Sequence, residues 1–139
     1  MGNAAWLTLA LPQWYFPAFL APFAAGGLTL IPAVGVLALL IALGLAAVRR
    51  RREVVWFLGP AAASHVLVAI AGLMRGRLEE NASNVVLIVF LVAQLVGCGV
   101  LIWRLRRARV EAALLTVFAL TYALFAAFIA SMSFNDVWL

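Results

Sequence analysis

Three short polar stretches interrupt an otherwise apolar chain: "RRRRE" at 49–53, "RGRLEENASN" at 75–84 and "RLRRARVE" at 104–111. Between them lie "VVWFLGPAAASHVLVAIAGLM" (54–74) and "VVLIVFLVAQLVGCGVLIW" (85–103). Each is close to the ~20 residues that cross a hydrocarbon core as a helix. "LTLIPAVGVLALLIALGLAAV" (28–48) precedes the first break and "VEAALLTVFALTYALFAAFIASM" (110–132) follows the third. The pattern predicts four transmembrane helices, over 28–48, 54–74, 85–103 and 110–132.

The residues ahead of this set are also uncharged, but Pro12, Pro17 and Pro22 punctuate them. Each proline removes a backbone donor and disfavours helix in the residue before it. Within hydrocarbon the carbonyls so freed lack partners unless protein or water supplies them. Trp14, Tyr15, Phe16, Phe19 and Phe23 suit the headgroup level. Residues 5–26 therefore read as an interfacial or re-entrant segment, with a fifth span as the alternative. The same five aromatics are candidates for docking a partner. The expected fold is an all-α integral membrane protein, a single membrane domain over 1–139. It is a four-transmembrane-helix bundle preceded by an aromatic, proline-rich segment.

Composition agrees with that class. Apolar residues make up 68% of the chain and charged residues 11%, against about 45–50% and 25% in soluble domains. The charge adds a direction. All ten basic residues are arginine, and eight of them stand in two turns: Arg49, Arg50, Arg51 and Arg52, then Arg104, Arg106, Arg107 and Arg109. The intervening loop holds two arginines beside Glu79 and Glu80. Both arginine-rich turns are expected to face the cytoplasm, which puts both termini outside. Trp56 and Trp103 adjoin the arginine clusters, and Trp14 and Trp138 fall at the opposite boundary, as aromatic belts do. The arginines also suit anionic headgroups, at about 1 kcal/mol each near a negative surface. Tight clusters between apolar runs do not make the spread basic face that nucleic acid requires. The lack of lysine points to a GC-rich bacterial genome, hence a bacterial inner membrane.

Candidate chemistry is sparse. His65, Gln94 and Thr121 stand near the middles of three spans, with Ser64 and Tyr122 beside them. One reading of this midplane polar layer is interhelical hydrogen bonding, with Gln94 or Thr121 as the partner of His65. The other is a substrate, ion or proton path, because intramembrane polar groups mark such paths. The spans bring no acidic residue or arginine to the level of His65, which leaves a proton relay little material. Without lysine there is neither a P-loop nor Schiff-base chemistry. One histidine and one cysteine on different helices do not make a zinc site. Ser64 and His65 are adjacent, so on a helix they point about 100° apart and form no catalytic pair.

Small residues at four-residue spacing mark close-packing faces: Ala38, Ala42 and Ala46; Gly59 and Ala63; Ala119, Ala123 and Ala127. The expected function is a non-enzymatic subunit, accessory to or assembled within a larger membrane complex, with no metal and no cofactor. The alternative is a small homo-oligomeric channel or transporter lined by the polar layer. A third reading is a haem- or quinone-associated subunit that uses His65.

Overall fold

A computed structural model describes residues 11–16 and 30–135 of the chain. Among these residues all regular structure is helical. Helix α1 is described over 11–16. Helix α2 is Leu30–Val48, and a 3-10 helix at Arg52–Phe57 leads into α3, Leu58–Leu73. Helix α4 is Glu80–Arg104, a 3-10 turn follows at Arg106–Ala108, and α5 is Arg109–Phe134. Four segments, Leu30–Val48, Arg52–Leu73, Glu80–Arg104 and Arg106–Phe134, are long and apolar enough to cross a membrane.

Helix α4 begins five residues before its apolar run, in "ENASN". Apolar length marks what hydrocarbon would cover, whereas the helix continues as long as its backbone bonds close. The Ser83 N–H closes the first turn on the Glu79 carbonyl at 2.9 Å, and the Ser83 hydroxyl donates to the Glu80 carbonyl at 2.8 Å. The end of α2 closes differently. Arg50 takes a left-handed φ of 51°, and the Arg51 N–H reaches back to the Ala46 carbonyl at 2.8 Å while that of Arg50 reaches Ala47 at 3.2 Å. This is the Schellman closure, with an arginine where glycine is usual.

The connections put the two arginine turns at one end of the bundle. Arg49 at the end of α2 pairs with Glu111 in the first turn of α5, and Arg104 at the end of α4 lies over the Trp56 ring. At the other end Gly76, with φ 60°, directs its N–H to the Phe134 carbonyl at 3.2 Å. Eight arginines thus share one end, and Arg75, Arg77, Glu79 and Glu80 share the other.

Helix α5 is the hub, packed against α2, α3 and α4 in turn. Its buried surface is dominated by alanine: Ala112, Ala119, Ala123, Ala126, Ala127 and Ala130. Small side chains let helix backbones approach closely. Opposite them α2 buries the four-spaced Ala38, Ala42 and Ala46, the face its sequence predicts. Helix α3 departs from expectation. It buries Ser64, Leu67, Val68 and Ala71, while Gly59 and Ala63 stay exposed. The reason is architectural: α3 and α4 each lean on α5 and scarcely meet, so the Gly59–Ala63 stripe borders an open cleft.

Candidate functional site

Halfway along α5 the bundle holds an aromatic and polar cluster. Its centre is Tyr15 of α1, which has no exposed surface and packs among Val36, Val68, Phe118 and Tyr122. The Tyr15 ring meets Tyr122 edge-on at 4.9 Å between centroids and Phe125 at 5.6 Å. Its hydroxyl lies 2.7 Å from Thr121 Oγ1. The single Thr121 proton is directed at carbonyls of its own helix, Val117 or Phe118, both at 2.9 Å. Tyr15 is therefore the donor and Thr121 the acceptor. Gly35 of α2 makes room for this bond, since a Cβ there would run into both the Tyr15 hydroxyl and Thr121 Oγ1.

This placement corrects the headgroup-level position expected of Tyr15. A tyrosine that finds a hydrogen-bond partner for its hydroxyl can bury its ring at depth, and Thr121 is that partner. Tyr15 is consequently inaccessible to a docking protein, whereas Trp14 and Phe16 are exposed. Phe19, Phe23 and the rest of the predicted 5–26 segment beyond 11–16 lie outside the described residues.

His65 of α3 is held at both ring nitrogens. Nδ1 is 3.0 Å from the Ala61 carbonyl, and Nε2 is 3.2 Å from the Tyr122 hydroxyl. A carbonyl only accepts, so the Nδ1 proton points to Ala61. In the neutral ring Nε2 then accepts from Tyr122. The expected partners, Gln94 and Thr121, are engaged elsewhere. Gln94 of α4 donates through Nε2 to the Pro60 carbonyl at 3.0 Å, and Ser64 donates to the same carbonyl at 3.2 Å. The predicted layer therefore divides into three pairings: Tyr15 with Thr121, Tyr122 with His65, and Gln94 with the α3 backbone. The first two meet through the Tyr15–Tyr122 ring contact, and Gln94 stands apart at the α3–α4 cleft.

That cleft has a volume of about 450 Å³ and is lined by Gly59, Pro60 and Ala63 of α3 and Gln94 and Gly97 of α4, with Trp56 and Phe90 also on its wall. Trp56 also lines a second cavity of about 400 Å³ at the arginine end, with Glu53, Arg104, Arg106 and Arg107. Arg106 lies over the Trp103 ring at 5.2 Å, so the tryptophans carry guanidinium groups on their faces. Nearby, Arg50, Arg51 and Arg52 line a third cavity of about 510 Å³.

The sequence reading passes over Glu111, which is 1% exposed and accepts from Arg49 Nη1 at 3.0 Å. Its position in the first turn of α5, beside an arginine cluster, is the available signal. No signal in the sequence points to the Pro60 carbonyl as the acceptor for Gln94. Among the described residues no group of three or more histidine, cysteine, aspartate or glutamate side chains could hold a metal ion. Cys98 is buried as a free thiol. Compared with protein-family profiles, with curated proteins and with solved structures, the chain matches none of them.

Proposed function

We propose that this chain is a non-enzymatic, multi-pass subunit of the bacterial inner membrane that works by helix packing within a larger membrane complex. The observation that carries the proposal is how its polar groups are used. Tyr15, His65, Gln94, Thr121 and Tyr122 are all hydrogen-bonded to one another or to backbone, which is the behaviour of groups that fix helix rotation. A path for ions would need them turned toward a common opening, and they are divided among separate pairings. Haem ligation would need His65 Nε2, which Tyr122 occupies.

Within this proposal, α4 offers the surface for assembly. Only 11% of the most apolar stretch of α4 is buried, the lowest share of the four candidate spans. Val85, Ile88, Val89, Val92, Val96 and Trp103 are all exposed along it. Two of its faces are accounted for by α5 and the cleft, and the third faces outward, where the proposed complex would cover it in place of lipid. Both arginine turns then face the cytoplasm, where the anionic lipid surface lies.

Copurification in a mild detergent tests the proposal. A stoichiometric foreign subunit is expected, and His65→Leu is expected to keep it. A lone symmetric oligomer whose ion flux disappears in His65→Leu would establish the channel reading instead.

A further inference from the structure

We infer that the α3–α4 cleft and the arginine cavity at its end form one site for a single anionic phospholipid, with an acyl chain along the cleft and the phosphate against Arg104 and Arg107. The inference rests on the membrane-spanning reading above and gives that reading a specific ligand. Trp56 lines both cavities. Their chemistry changes across it, from Gly59, Ala63 and Gly97 to three arginines against one carboxylate, Glu53. An amphiphile has that same polarity along its length. Dimensions agree as well: from Phe90 to Leu101 the cleft follows α4 for about 16 Å, close to one leaflet of a 30 Å hydrocarbon core. The arginine cavity then falls at headgroup height.

Nothing apolar draws α3 and α4 together in lipid, so a cleft between them is filled by chain rather than closed by collapse. Gly59 and Gly97 border open space, since a Cβ at either would meet no atom within 4 Å. The phosphate gains a direct guanidinium contact, and Trp56 beneath Arg104 supplies an amphipathic ring at the boundary.

The test uses the full chain purified in dodecyl maltoside, with dioleoyl phosphatidylglycerol or phosphatidylcholine added and retained lipid counted by native mass spectrometry. One phosphatidylglycerol per chain is expected, retained in preference to phosphatidylcholine. Gly97→Leu, which fills the cleft, is expected to abolish retention, as is Ala93→Leu on the same wall. Gly44→Leu, at an equally open glycine of α2, leaves retention unchanged. Arg107→Gln lowers retention about fivefold, as expected for one arginine near an anionic surface, while Arg52→Gln in the neighbouring cavity does not.

Equal loss in Arg107→Gln and Arg52→Gln, with Gly97→Leu unaffected, would reduce the effect to diffuse charge and overturn the site. So would equal retention of the two lipids, displacement by inorganic phosphate at matched ionic strength, or a protein helix cross-linked in the cleft in place of lipid. Recovery of the chain in the aqueous fraction after alkaline washing of membranes would remove the membrane reading itself. Firm membrane retention without selective lipid removes only the site.

Discussion

Helices α4 and α5 are nearly equal in length, 25 and 26 residues, and each belongs to a segment apolar enough to cross a membrane. Yet 44% of the most apolar stretch of Arg106–Phe134 is buried, against 11% in Glu80–Arg104. Hydropathy ranks them the other way, the less buried segment being the more apolar; side-chain size follows the burial. Helix α5 presents alanine to α2, α3 and α4 and fills the remaining space with Phe118, Tyr122 and Ile129. Helix α4 turns bulky Val85, Ile88, Val92 and Val96 outward and keeps Ser83, Gln94 and Cys98 for contact. In lipid, apolar surface has no preference for the interior, and van der Waals fit with hydrogen bonds decides which helix becomes the hub. When every helix is apolar, size patterning is the better guide to the inside.

The largest expected effects come from crowding the hub. Gly35→Ala forces apart Tyr15 and Thr121, which are joined by a hydrogen bond while the Tyr15 ring is held among Phe118, Tyr122 and Phe125. Ala123→Leu adds volume where α5 has no exposed surface. Each should cost about 1–3 kcal/mol, the range for overpacked cores, and lower the thermal midpoint in detergent. Val92→Leu on α4, where the side chain is 54% exposed, should stay within about 0.5 kcal/mol. Equal sensitivity at Ala123 and Val92 would erase the contrast.

Next comes the end of the hub. Arg49→Gln removes the ion-pair partner of Glu111, whose carboxylate keeps a backbone hydrogen bond and the charge of Arg51, so the loss should be about 1 kcal/mol, the upper end for a partly exposed pair. Glu111→Gln should be milder, because it leaves a neutral amide beside a half-exposed arginine. Chemical denaturation of the two variants gives the order. The reverse order would mean that Arg51 and its neighbours hold Glu111 without Arg49.

A smaller effect is expected at His65. His65→Leu loses the bonds to Tyr122 and to the Ala61 carbonyl of its own helix and gains apolar packing, so it should change stability by no more than about 1 kcal/mol. Tyr15→Phe likewise removes a single bond, worth about 0.6 kcal/mol on average between membrane helices. The double variant His65→Leu with Tyr122→Phe should cost less than the sum of its parts. Additive losses would show that the pair is not coupled.

These contrasts follow the limits of what the sequence makes legible. The positions of the apolar helices and the sharing of one bundle end by eight arginines can be read from run length and charge. The alanine faces of α2 and α5 follow from spacing. The rotation of each helix does not, because it depends on which small residue meets which large one across the bundle. Thr121 and Tyr122 are adjacent on α5 yet serve different partners about 100° apart around the axis. Tyr15 departs from expectation for a related reason: an aromatic fits a headgroup belt or a buried pocket equally well until its hydroxyl partner is known. Gln94 bonds a backbone carbonyl, and such acceptors leave no side-chain trace in a sequence.

Cysteine cross-linking along the outward face of α4 bears most directly on the claim that this face is closed by another subunit. In a Cys98→Ala background, single cysteines would replace Val85, Val92 and Val96 on α4, and Leu37 and Ile41 on α2. A photoactivatable thiol reagent would then be applied in native membranes. The expected result is one foreign protein adduct of constant mass from the α4 positions, absent from the α2 positions. Lipid adducts alone from α4, or the same protein adduct from both helices, would contradict it.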